Sequence, residues 1–124
     1  MVEEIRQFNT GATRNLDNNK LDYEGFLSPL VLEEFAKYMH AHRKQKDGTI
    51  RDSDNWQKGI PKEVYMKSMF RHFMDFWKMH RGNISINPDN SLPCTKEELL
   101  CAIMFNVQGY LHELLKEGGQ NGKN

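Results

Sequence analysis

An all-α fold, with three long helices joined by polar loops and preceded by an extended arm, is predicted by two features of the chain. Apolar residues recur at helical spacing in three separate stretches, each opened by a start signal. Between the stretches, Gly, Pro, Asn and Asp accumulate.

Residues 1–26 are polar and interrupted by Gly11, Gly25 and a run of Asn, Asp and Lys between Asn15 and Asp22, which predicts an extended N-terminal arm. Ser28-Pro29 then supplies an N-cap and a first-turn proline. The helix that follows reads LVLEEFAKYMHAHRKQ, with Leu32, Phe35, Tyr38, Met39 and His42 on its apolar side. Asp47-Gly48 ends it. A second helix starts near Pro61 and closes before Gly82, with Tyr65, Met69, Phe73, Phe76 and Trp77 as its stripe. The loop beyond it holds two prolines and a strand-like Ile84/Ile86 fragment. Thr95 and Glu98 form a capping-box pattern at the head of the third helix. That helix is apolar around much of its circumference between Leu99 and Leu115, more than two neighbours can cover. It belongs at the centre of a core or against a second chain, so a homo-oligomer, a dimer or higher, is expected. The domain therefore spans 27–116, and 117–124, EGGQNGKN, reads as a disordered tail.

The 124 residues suit one domain, and 17 basic against 17 acidic residues leave no net charge. That balance argues against a nucleic-acid partner, and no apolar run reaches the roughly 20 residues that would span a membrane. The start is acidic and lacks the apolar segment of a secretory signal. Cys94 and Cys101 fit no CxxC or zinc spacing. A cytoplasmic, reducing location is the expectation.

Polar side chains embedded in apolar helix faces are the candidates for function. Asn106, between Phe105 and Val107, must be hydrogen-bonded if buried, whether it fixes helix register or faces a ligand. His72 lies on the stripe of the second helix, where a histidine is ordinarily a satisfied core residue. Arg71 and Asp75, four apart, read as a surface pair. No HxxxH or HExxH pattern exists for zinc. For an oxygen-coordinated metal the helix acids are Glu33, Glu34, Asp75, Glu97 and Glu98, although capping explains Glu98 and the helix dipole explains Glu33. In the loop Asp54-Asn55-Trp56-Gln57-Lys58-Gly59, a tryptophan beside amide and ammonium donors can stack a base and hold a phosphate. It can equally cap the core from outside.

Taken in order, Gly11-Ala12-Thr13-Arg14, Asp22-Tyr23, Asn55-Trp56-Gln57-Lys58-Gly59, Arg71-His72 and Phe105-Asn106 with His112 six later resemble the phage dATP/dGTP diphosphohydrolase N-terminal domain family. That is an all-α group related to MazG-like nucleotide pyrophosphohydrolases. The resemblance covers roughly Thr10 to Leu115. It implies a MazG-like helical bundle, completed by dimerisation, that hydrolyses a (deoxy)nucleoside triphosphate to the monophosphate and pyrophosphate. It implies Mg²⁺ or Mn²⁺ as cofactor, held by Glu33, Glu34 and Glu98, where the metal neutralises phosphate charge and supplies the attacking hydroxide. It further implies catalytic roles for Arg71, His72 and Lys58, and nucleotide contacts from Arg14, Asn55, Trp56, Lys58, Asn106 and His112.

This chain departs from the MazG-like pattern at the acids. Those enzymes display ExxE on one helix and ExxD on another. Here Glu33 and Glu34 are followed by Ala36, Lys37 and Tyr38, and Glu97 and Glu98 by Leu100, Cys101 and Ala102. The alternative expectation is a non-catalytic protein that sequesters a nucleotide, for example a cyclic or modified signalling nucleotide of host defence.

Overall fold

Three long helices carry the chain. The computed structural model describes residues 5–16 and 19–121. The order is β1 (Ile5–Gln7), β2 (Thr13–Asn15), α1 (Tyr23–Phe26), α2 (Pro29–Ala41), a 3-10 turn (Asn55–Lys58), α3 (Lys62–His80) and α4 (Lys96–Asn121). The expected all-α architecture is present, with one small addition. Where composition predicts an extended arm, Ile5–Gln7 and Thr13–Asn15 pair antiparallel, with Arg6 opposite Arg14. Gly11, at φ 88°, makes the turn, and the Phe8 amide donates to the Ala12 carbonyl at 2.8 Å. Asp22 then caps α1 by accepting from the Gly25 amide at 2.9 Å. The rest of the expected arm, 1–4 and 17–18, lies outside the described residues.

The start signals act as their chemistry dictates. Ser28 Oγ accepts from the Val31 amide at 3.3 Å with Pro29 opening α2, and Thr95 Oγ1 accepts from the Glu98 amide at 3.1 Å. The second helix ends at His80 with Gly82 at φ 91° beyond it. The Ile84/Ile86 fragment is reduced to an isolated antiparallel bridge, Ile86 with Pro93.

Two boundaries differ from expectation. Helix α2 stops at Ala41, and residues 43–51 fold back as a narrow ribbon. The Arg51 amide donates to the Arg43 carbonyl at 2.9 Å, and Lys44 bridges Ile50. Asp47-Gly48 forms the tip, with Gly48 at φ 87° and Asp47 Oδ1 accepting from the Thr49 amide at 3.0 Å. At the other end, α4 continues through 117–121 where a disordered tail is expected. Lys62 of α3 holds Glu117 at 2.7 Å, which extends the packed length of the helix past Leu115. Residues 122–124 lie outside the described residues.

Helix α4 is central. It lies antiparallel along α3 and touches α2 with a second face. The buried residues Leu99, Cys101, Ala102 and Asn106 belong to it, with Tyr65 of α3 completing the centre. Tyr65 is 1% exposed and packs its ring over Gly109, where an added Cβ would sit 2.7 Å from the hydroxyl. Among the described residues no helix is long and apolar enough to cross a membrane.

Candidate functional site

A cleft of about 580 Å³ opens where α2, the ribbon, the 3-10 turn, α3 and α4 converge. Its size is that of a small-molecule pocket. Four residues singled out in the sequence line it together: Asn55, Trp56, His72 and Asn106. They come from three separate elements, so only the fold unites them.

Asn106 is 3% exposed. Its Nδ2 donates to the Ala102 carbonyl one turn earlier, at 2.8 Å. This supplies the partner that a buried amide needs, and it comes from the residue's own helix. The Oδ1 has no hydrogen-bond partner among the described residues and remains as an acceptor in the cleft. Trp56 caps the core from outside, one of its two sequence readings. It packs edge-on against Phe105 (ring centroids 6.3 Å apart) and His112 (4.8 Å), and it also lines the cleft. His112, six residues from Asn106, thus joins the site through Trp56.

His72 is half-buried on α3, where burial lowers its pKa below the usual histidine value. Asp75 opposes that shift, while Arg71 and His42 add to it. The imidazole is therefore neutral at neutral pH. Asp75 does not form the expected pair with Arg71. It turns inward to accept from Ser85 Oγ at 2.8 Å, leaving Arg71 exposed on α3.

Several lining residues are not among the site candidates that the sequence offers. His42 Nδ1 lies 2.8 Å from the Tyr38 carbonyl, an acceptor, so the hydrogen sits on Nδ1 and Nε2 carries the lone pair when the ring is neutral. The Tyr38 ring lies against His42 with centroids 4.1 Å apart. The Tyr38 pKa is pushed up to about 12 by burial, with Cys101 and Glu98 adding to the effect, so the hydroxyl stays a donor. Arg43 and Arg51, at the two feet of the ribbon, both line the cleft. Arg43 Nε donates to the Arg51 carbonyl at 2.8 Å, which orients the guanidinium. Neither arginine has a carboxylate partner among the described residues. The signal that points to them is the Asp47-Gly48 dipeptide, which marks a hairpin tip as well as a helix end. Its ribbon brings two cations eight residues apart to one cleft.

The remaining candidates lie elsewhere. Lys58 is exposed at the end of the 3-10 turn, and Arg14 is exposed on β2; neither lines the cleft. Glu33 pairs with Lys37 at 3.4 Å on the surface. Glu34 and Glu98 border a second depression, which also holds Lys37, Lys44 and Lys46. Among the described residues no three His, Cys, Asp or Glu side chains gather to hold a metal ion. Chemically, the cleft joins aromatic faces, an uncommitted amide oxygen, three imidazoles, the Asp52 carboxylate and two guanidinium groups that have no carboxylate partner among the described residues. That set suits a planar, hydrogen-bonding group attached to an anion.

No known family model matches the chain, and no curated protein or solved structure matches it either.

Proposed function

We propose that the cleft binds a (deoxy)nucleoside triphosphate and that the protein is a nucleotide pyrophosphohydrolase, releasing the monophosphate and pyrophosphate. The observation that carries the proposal is the joining, in one cleft, of Trp56 and Asn106 with the Arg43/Arg51 pair. The aromatic face stacks a base, the Asn106 Oδ1 accepts from an exocyclic amine, and the guanidinium groups take phosphate oxygens bidentately. In hydrolysis, water attacks the α-phosphorus. A new P–O bond forms, the α–β bridging bond breaks, and pyrophosphate leaves with the bonding electrons. His72, neutral through burial, accepts the proton of the attacking water, while Arg43 and Arg51 stabilise the charge gathering on the phosphates.

The resemblance implies Mg²⁺ or Mn²⁺ as well, but the carboxylates of one chain do not gather into a metal-ligand set among the described residues. No step is assigned to a metal. The same dispersal of Glu33, Glu34 and Glu98 favours a second reading, a nucleotide-sequestering protein that leaves its ligand intact. The MazG-like character of the bundle, and its completion by a second copy, belong to the same proposal. The excess apolar surface of α4 supports them.

Incubation of the full chain with dATP, dGTP and the other common triphosphates, with and without Mg²⁺ or Mn²⁺, separates the readings. Pyrophosphate and monophosphate are expected by mass analysis. Tight binding by calorimetry with intact ligand recovered supports sequestration instead. Absence of both binding and turnover across the panel rejects the nucleotide assignment. If activity is seen and depends on the metal, Gln at Glu33, Glu34 or Glu98 shows which acids it needs.

A further inference from the structure

The ribbon 43–51, RKQKDGTIR, carries four cations and one acid in a chain whose basic and acidic residues balance at 17 each. The acid is already engaged. Asp47 Oδ1 accepts from the Thr49 amide at 3.0 Å and from the Thr49 hydroxyl at 2.6 Å. The ribbon keeps its shape through its own bonds: the Gln45 amide donates to the Thr49 carbonyl at 2.8 Å, and Gln45 Nε2 to Thr49 Oγ1 at 3.0 Å. Its cations therefore hold a fixed order, with Arg43 and Arg51 at the feet, Lys44 next and Lys46 near the tip. Lys46 stands roughly 10 Å from Arg43 along a strand that rises about 3.3 Å per residue.

Alternation along the ribbon sends these cations to different sides. Arg43 lines the cleft, Lys44 and Lys46 line the second depression, of about 1320 Å³, and Arg51 lines both. Tyr38 and His42 also line both, so the two hollows meet at one wall of three residues. Neither Lys44 nor Lys46 has a carboxylate partner among the described residues. Lys37, the third lysine there, is paired with Glu33 at 3.4 Å. The remaining carboxylates of the depression belong to other elements: Glu34 to α2, Glu98 to α4 and Asp89 to the loop after α3.

Building on the nucleotide reading of the cleft, we infer that the second depression receives the ligand's phosphate tail, and that Lys44 and Lys46 select a polyphosphate over a monophosphate. With the base on Trp56 and Asn106, the first phosphate meets Arg43 and Arg51. The phosphates beyond it pass the wall of Tyr38, His42 and Arg51 toward the ribbon lysines. A monophosphate ends at the wall and does not reach them. The residue types suit this division. A guanidinium fork fixes one phosphate, whereas ammonium groups on flexible stems follow a chain of phosphates without demanding one geometry. Glu34, Glu98 and Asp89 oppose a polyanion, which makes the two lysines decisive: without them the depression holds more acid than base. In hydrolysis the tail is the departing group, so the same lysines hold the pyrophosphate as it leaves.

Calorimetric titration of the full chain tests this, with dAMP and with the α,β-methylene analogue of dATP, which is not cleaved between those phosphorus atoms. Each is run with and without Mg²⁺. In Lys44→Met/Lys46→Met the triphosphate Kd is expected to rise about tenfold, while the dAMP Kd stays within about twofold. Lys67→Met/Lys78→Met removes the same charge from exposed positions on α3 outside both hollows. It is expected to leave both Kd values within about twofold. Three results overturn the inference: an unchanged triphosphate Kd in the ribbon variant, equal weakening of both nucleotides by it, or an equal loss in the α3 variant. Wild-type protein that binds neither nucleotide rejects instead the nucleotide reading of the cleft, so the two failures are told apart.

Discussion

The two sides of the α3–α4 pair differ in kind. On the cleft side the polar groups are already held: Asn106 by Ala102, His42 by Tyr38, and Arg43 by the Arg51 carbonyl. On the other side Phe70, Phe73, Leu111 and Trp77 are about half exposed, with no described element packed over them. A cleft whose polar groups are already oriented can receive a small ligand with little reordering, whereas an exposed apolar face gains free energy when it is covered. The same two helices therefore carry two surfaces of different character, one with oriented polar groups and one apolar.

The largest expected effect breaks the cleft side alone. Trp56→Ala removes the stacking face and should weaken nucleotide binding by about 1–3 kcal/mol, roughly 5- to 150-fold in Kd by calorimetry, while the oligomeric mass stays unchanged. A change of solution mass in this variant would mean the two sides are not separable.

Gly109→Ala probes the core that lies between them. The new Cβ meets the Tyr65 ring and hydroxyl, so either α4 or Tyr65 must shift. A destabilisation of about 1–3 kcal/mol in denaturant unfolding is expected, reduced by the better helix propensity of alanine. Unchanged stability would show that the Tyr65–Gly109 contact is looser than described. Tyr65→Phe provides the opposite sign. The hydroxyl is buried with no hydrogen-bond partner among the described residues, so its removal should leave stability unchanged or raise it by up to about 1 kcal/mol.

His72 ties the cleft to pH. Its folded pKa lies below the unfolded value of 6.5, so the stability it leaves intact is fully present above 6.5 and is lost as pH falls toward the folded pKa. In His72→Gln, the decline of the thermal midpoint between neutral and mildly acidic pH should be shallower than in the wild type. An identical decline would place its cause in other groups. The smallest effect is at Arg71, whose charge helps lower the His72 pKa. In Arg71→Met, the His72 titration followed by NMR should move upward, a change too local to affect oligomeric mass.

Much of the architecture is legible in the chain because the relevant physics is local. Ser28-Pro29, Thr95 with Glu98, and Gly82 mark helix ends through hydrogen bonds and dihedral limits reaching only three or four residues. The excess of apolar residues on α4 was also visible, since periodicity alone reveals it. The Asp47-Gly48 turn was legible but ambiguous, because a helix end and a ribbon tip use the same residues. Asp75 shows the limit of local reasoning. Spacing pairs it with Arg71, yet Ser85 reaches it from the loop after α3 and takes the bond.

By itself, then, the sequence determined three long helices, an α4 that is apolar around much of its circumference, and the polar residues Asn106, His72 and Trp56 as unusual for their surroundings. The tertiary structure alone decided that these three share a cleft, that Arg43 and Arg51 join them, and that Glu33, Glu34 and Glu98 do not. The reason is the range of the forces involved. Capping and periodicity act within one or two turns of a helix, whereas a site is assembled by packing between segments tens of residues apart, whose register no local pattern encodes.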